Sequence, residues 1–80
     1  MINVKNKGLI KAIGKEIRNL RIERGMSQEA LANEADIPLS QVGRIERGEN
    51  NPTISTLYVI AQALGTELKV LIDIKIRTSS

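Results

Sequence analysis

The chain contains no cysteine and no histidine. Without cysteine there is no disulfide to staple a small fold and no thiolate nucleophile. Without histidine, the usual zinc ligand and the usual general base are both missing. No glycine-rich phosphate loop and no carboxylate pair in a plausible cleft takes their place. An enzyme would have almost nothing to build on, and neither a metal nor a cofactor is expected. No apolar run approaches the roughly 20 residues that a membrane helix needs. The stretch Met1 to Gly8 has lysines but no apolar core after them, so it does not read as a signal peptide. A soluble, cytoplasmic protein is expected. Internal repeats are absent, and low complexity is confined to the Thr78-Ser79-Ser80 tail.

What is present is short. A chain of 80 residues reads as one domain, 1–80. At this size only about 60% of the unfolded surface can be buried, so the core is thin. A helical bundle is among the few architectures that close such a core without staples, and dimerisation would add buried area. The net charge of +3 is mild but uneven. Lys5, Lys7, Lys11, Lys15, Arg18, Arg21 and Arg24 face only Glu16 and Glu23 in residues 1–24, a balance of +5. The remainder sets Arg44, Arg47, Lys69, Lys75 and Arg77 against Glu29, Glu34, Asp36, Glu46, Glu49, Glu67 and Asp73, a balance of −2. A basic half points either to a polyanionic partner or to a solvated helix face.

Breakers at Gly25, Asp36-Ile37-Pro38, Gly48, Asn50-Asn51-Pro52 and Gly65 cut the chain into pieces whose apolar residues recur at helical spacing. The first helix is predicted over about 7–24, with Ile10, Ile13, Ile17 and Leu20 as its stripe. Gly25 closes it, and Arg24 sits at the negative dipole end. The second runs over 28–35 from an N-cap at Ser27, with Glu29 in its first turn and Leu31 and Ala35 inward. The third runs over 39–47 to Gly48, with Val42 and Ile45 buried. Its other side carries only Ser40, Gln41, Gly43, Arg44 and Arg47, a first hint of a recognition surface. The fourth runs over 53–64 from Thr53, turning Ile54, Leu57, Ile60, Ala61 and Leu64 to the core. Tyr58 and Val59 fall outside that stripe, as scattered surface residues or as a dimer surface. Residues 66–77 are ambiguous. Leu68, Leu71 and Ile72 fit a fifth helix over 67–72 followed by an extended tail, 73–80. Leu68, Val70, Ile72, Ile74 and Ile76 also alternate as a strand would, and such a strand would pair across a dimer. The fold class is therefore all-α, a compact five-helix bundle.

Only Asp36, Ile37 and Pro38 separate the second and third helices, and so tight a joint sets two short helices at a steep angle. It demands a small residue where they touch, and Ala32 is placed for that contact. The run Gly25-Met-Ser-Gln-Glu-Ala-Leu-Ala, followed by Ile37-Pro-Leu-Ser-Gln-Val-Gly-Arg-Ile-Glu-Arg-Gly-Glu-Asn-Asn-Pro-Thr-Ile-Ser-Thr-Leu, resembles the Cro and lambda-repressor type helix-turn-helix, the XRE family. The likeness spans about residues 10–72, and turn, spacing and both flanking helices match together.

The resemblance implies a lambda-repressor-like DNA-binding domain whose third helix enters the major groove. Its base-reading positions match Leu39, Ser40 and Arg44, with Gln41 and Gly43 beside them. Gln28 matches a glutamine that contacts a phosphate. The loop Arg47 to Thr53, including Asn50 and Asn51, matches a segment that approaches the DNA backbone, and Lys15 and Arg18 on the first helix join that group. Arg21 and Glu46 match a structural ion pair. Two positions depart from the pattern. Asp36 stands where glycine is usual, at a site that often needs positive φ, and aspartate tolerates that better than most residues. Pro38 stands where a hydroxyl or acidic cap is usual; it suits a first turn but cannot cap by its side chain.

The chemistry of these residues agrees with the implied roles. Arg44 can donate two hydrogen bonds to guanine O6 and N7, Ser40 can bond several base edges, and Leu39 can meet a thymine methyl. One recognition helix reads few base pairs, whereas two set one DNA turn (~34 Å) apart read a palindrome. The expected function is sequence-specific binding of double-stranded DNA by a homodimeric transcriptional repressor, with Tyr58, Val59, Ile72, Ile74 and Ile76 as dimer residues. A restriction–modification controller, an antitoxin with a toxin partner, and a protein-interaction module without DNA binding are the alternatives.

Overall fold

The computed structural model describes residues 6–73. Five helices follow one another: α1 (Lys7–Glu23), α2 (Gln28–Ala35), α3 (Leu39–Glu46), α4 (Ile54–Ala63) and α5 (Leu68–Ile72). Three begin on a side chain that accepts from an otherwise orphaned amide. Asn6 accepts from the Leu9 N–H, Ser27 from Ala30 and Thr53 from Thr56. Pro38 opens α3 without any such bond; its φ of −63° and ψ of 144° supply the entry geometry instead.

The predicted order and boundaries hold to within a residue or so, and the ambiguous segment forms a helix over Leu68–Ile72. The tail expected to be extended over 73–80, with Ile74 and Ile76, lies outside the described residues from 74 onward. Ile13, Ile17, Leu31, Val42, Ile45, Leu57, Ile60, Leu64 and Leu71 form the core, with Ala32, Ala35 and Ala61 filling the close approaches between helices. Leu71 is fully buried, which explains why α5 folds back onto α1 and α4.

Two expectations for α4 need correction. Ile54 was expected inward, but it is 63% exposed, because it sits in the first turn before α4 reaches the core. Val59 was expected outside the core stripe, but it is half-buried and packs against the core cluster.

The turn between α2 and α3 is closed by Asp36, the only non-glycine residue described at positive φ (φ 60°, ψ 46°). There the Asp36 and Ile37 amides donate to the carbonyls of Asn33 and Ala32, the pattern of a left-handed helix stop. A Cβ in that region is strained, and glycine is not. Asp36→Gly is therefore expected to raise unfolding free energy by up to about 1 kcal/mol. The check is a denaturant midpoint that rises at unchanged m-value; a lower midpoint would contradict the strain assignment.

Candidate nucleic-acid interface

Helix α3 is amphipathic in the sense a reading helix requires. Val42 and Ile45 are nearly inaccessible and anchor one side, while Leu39, Ser40 and Arg44 stand exposed on the other. Gln41 is half-buried between the two faces. Leu39 keeps 48% of its surface in solvent although it is apolar and sits in the first turn. Gly43, expected beside the base-reading residues, is instead buried beneath the Arg47 side chain and presents no group of its own.

A polar cluster fixes how α3 sits against α1 and α2. The Arg21 guanidinium donates from Nε to Glu46 Oε2 at 2.6 Å and from Nη2 to Glu46 Oε1 at 3.1 Å. Its Nη1 donates to the Met26 carbonyl at 2.7 Å, tying in the loop before α2. Gln28 Nε2 donates to Glu46 Oε1 at 3.0 Å. The pair is buried, with Glu46 at 8% exposure. Every buried side-chain polar atom among the described residues has a partner. Arg21 and Glu46, expected as an ion pair, approach to 2.6 Å here. Gln28, expected on a phosphate, is anchored to Glu46 through one N–H; its second N–H and its oxygen remain for another partner.

The loop after α3 is equally ordered. Gly48 (φ 74°) closes the helix, and the Gly48 and Glu49 amides donate to the Ile45 and Arg44 carbonyls at 3.0 and 2.8 Å, a Schellman arrangement. Glu49 accepts from Arg47 Nε at 3.0 Å and Nη2 at 3.2 Å. This exposed pair raises the Arg47 pKa, first through the hydrogen bond and then through charge. It lowers that of Glu49, again through the hydrogen bond first, with Arg44 adding to the attraction. Arg47, expected as a free backbone contact, is therefore already partnered by an acid.

The remaining expected contacts scatter. Lys15 and Arg18 are exposed on α1, Asn51 is exposed and Asn50 half-buried. The Thr53 hydroxyl accepts the Thr56 amide as the cap of α4. Asn50 and Asn51 line a cleft of about 390 Å³ together with Lys7 and Lys11 of α1. Both lysines belong to the basic half of the chain, and Gly48 packs against the Lys11 stem there. Missed from the sequence was Gly14, on the line of Ile10 and Ile17, where α1 passes α3. A Cβ built there would press into the Ile45 carbonyl oxygen and stand 3.0 Å from that of Glu46. Of the expected dimer residues, Tyr58 is 50% exposed and Ile72 is also exposed, and Ile54 and Val70 are exposed as well.

Comparison with known proteins agrees with this geometry. The helix-turn-helix family model HTH_3 matches residues 17–71. The HTH-type transcriptional regulator y4dJ of Sinorhizobium fredii is 40% identical over 55 residues, covering 69% of this chain and 71% of the relative. The control protein C.BamHI of Bacillus amyloliquefaciens is 38% identical over 61 residues, 75% of each chain. Among solved structures, the restriction–modification controller protein C.Esp1396I, a tetramer in complex with its natural 35 base-pair operator, superposes with a TM-score of 0.77. It is 30% identical, and the match covers 82% of this chain and 87% of that one. With the five-helix order, the left-handed turn at Asp36 and the Arg21–Glu46 pair in place, the chain belongs to the Cro and lambda-repressor-like (XRE) helix-turn-helix family.

Proposed function

We propose that this chain is a sequence-specific, double-stranded DNA-binding transcriptional regulator, a non-enzymatic cytoplasmic repressor that reads a palindromic operator as a homodimer. The observation that carries this is the exposed side of α3: Leu39, Ser40 and Arg44 stand free on a helix held rigidly from behind by the Arg21–Glu46–Gln28 cluster. A reading helix needs both properties, since base contacts specify only when the frame positions them. Arg44 supplies the bidentate guanine contact, Ser40 a hydroxyl and Leu39 an apolar contact for a thymine methyl. Gln28, Asn50 and Asn51, with Lys15 and Arg18 further along α1, supply backbone contacts and charge.

The acids near the motif do not weaken this reading. Glu46 and Glu49 are each paired with an arginine, and Asp36 occupies the turn. The likeness to the control protein C.BamHI and to the restriction–modification controller protein C.Esp1396I favours a controller role within the regulator class. A neighbouring restriction or methyltransferase gene would support it. Dimerisation is assigned to the exposed apolar residues of α4 and α5, chiefly Tyr58 and Ile72. A protein that sediments as a monomer at high micromolar concentration, free and on DNA, would contradict that assignment.

Selection from randomised duplex DNA at physiological salt tests the function. Wild type is expected to enrich a palindrome, and Arg44→Ala to lose a guanine preference of about 1–3 kcal/mol. A mutant that recovers the same motif would remove Arg44 from the reading set.

A further inference from the structure

Helix α1 keeps its two charge signs apart. At the helical repeat, Lys7, Lys11, Lys15 and Arg18 fall within about 80° of arc. All four are exposed. The stripe adjoins the line of Gly14 and Arg21, through which α1 meets α3. Glu16 and Glu23 lie on the opposite flank.

Lys7 and Lys11, at the start of this stripe, line a cleft of about 390 Å³ with the loop after α3. Gly48 brings that loop close. A Cβ built there would stand 2.5 Å from Lys11 Cγ and 3.1 Å from Lys11 Cα, so only a glycine lets the backbone rest on the lysine stem. The loop is also tied to α3, because the Gly48 and Glu49 amides donate to the Ile45 and Arg44 carbonyls. The cleft is therefore fixed relative to the helix that carries Leu39, Ser40 and Arg44.

Among the described residues neither lysine has an ion-pair partner. Glu49 also lines the cleft, but its carboxylate accepts from Arg47 Nε at 3.0 Å and Nη2 at 3.2 Å. That pair is neutral, so the two ammonium groups set the charge of the site. Asn50 and Asn51 bring uncharged N–H donors to it. Lysines with carboxamides are the groups that bind phosphate oxygens.

Resting on the DNA-binding reading above, we propose that this cleft is a phosphate site for the DNA backbone. Lys7 and Lys11 supply its charge, Asn50 and Asn51 its facing donors, and Gly48 the seat of the Lys11 stem. Such a contact holds the duplex against α3 and carries no base preference.

The experiment titrates Lys7→Gln, Lys11→Gln and their double variant against the selected operator and a random duplex over a salt series. Lys69→Gln on α5 serves as the control for lost charge, and Asn51→Ala as the neutral change. All four residues are exposed, and glutamine keeps the Cβ and Cγ beside Gly48, so these variants retain the fold. Each α1 lysine change is expected to make the salt slope shallower by about 0.9 per bound protomer. Both duplexes then bind about fivefold more weakly per protomer at physiological salt, with the ratio between them unchanged. Lys69→Gln keeps the wild-type slope. Asn51→Ala weakens both duplexes and also keeps the slope. If the α1 variants match Lys69→Gln, the cleft holds no phosphate and the proposal is wrong. It is equally wrong if Lys11→Gln lowers the melting temperature with its slope intact, since Lys11 then serves only the negative end of α3. Full affinity in Asn51→Ala would leave the lysines as diffuse charge and remove the cleft. Inorganic phosphate at millimolar concentration and fixed ionic strength separates the other source of this chemistry. If it weakens wild type to the level of the double variant, the site takes a free anion rather than the DNA backbone. A wild type that binds neither duplex would instead overturn the DNA-binding reading on which this one rests.

Discussion

Replacing Glu46 with alanine is expected to cost about 3–5 kcal/mol of stability, because it strands the Arg21 guanidinium in a buried site. The two carboxylate oxygens accept three hydrogen bonds, two from Arg21 and one from Gln28. Alanine removes all three acceptors at once. A domain of this size has only some 5–15 kcal/mol in total, so the variant should be partly unfolded at room temperature. A melting temperature lower by more than about 12 °C is the expected measurement. Removing both charges is a different matter. Buried ion pairs are often replaced by apolar residues of like volume at little cost. The double variant Arg21→Met, Glu46→Leu should therefore recover much of the loss, although the Met26 carbonyl and Gln28 would each lose a partner. If Glu46→Ala melted within a few degrees of wild type, the cluster would not hold α3 in the way described.

Gly14→Ala is expected to destabilise, against the ordinary trend. Glycine within an exposed helix costs about 1 kcal/mol relative to alanine, so propensity alone would predict a gain. Here the new methyl would drive into the backbone carbonyls of Ile45 and Glu46, which are part of α3 and have no rotamer to relieve the clash. Overpacking of this kind costs roughly 1–3 kcal/mol. The displaced element is α3, the proposed reading helix, so DNA affinity should fall with stability. Circular-dichroism melts of Gly14→Ala beside Gly8→Ala make the comparison. Gly8 is exposed, and a Cβ there meets nothing nearer than the Asn6 side chain at 3.6 Å. A Gly14→Ala protein at least as stable as Gly8→Ala would show that α1 and α3 can separate without cost.

The helices were legible because their signals are local. Ser27 and Thr53 cap, Gly25 and Gly48 stop, and Ile10, Ile13 and Ile17 repeat at helical spacing. The Asp36 turn was legible for the same reason, since few residues tolerate its φ. The resemblance led to the Arg21–Glu46 pair, which spacing alone would not have found across 25 residues. Ile54 was misplaced because helical periodicity assigns a face but does not say how far along the helix the core extends. Gly14 and Glu49 were missed for a deeper reason. A glycine on an apolar stripe means a close approach only once the opposing backbone is known. An acid two residues after an arginine becomes a partner only when the loop folds it back.

The measurement that tests the central claim most directly is a binding titration of the selected operator and of a random duplex, run over a salt series. The expected result is a preference for the operator of about a thousandfold or more at physiological salt, with affinity for both duplexes falling steeply as salt rises. Equal affinity for the two duplexes, or retention of neither, would contradict the claim that α3 reads sequence.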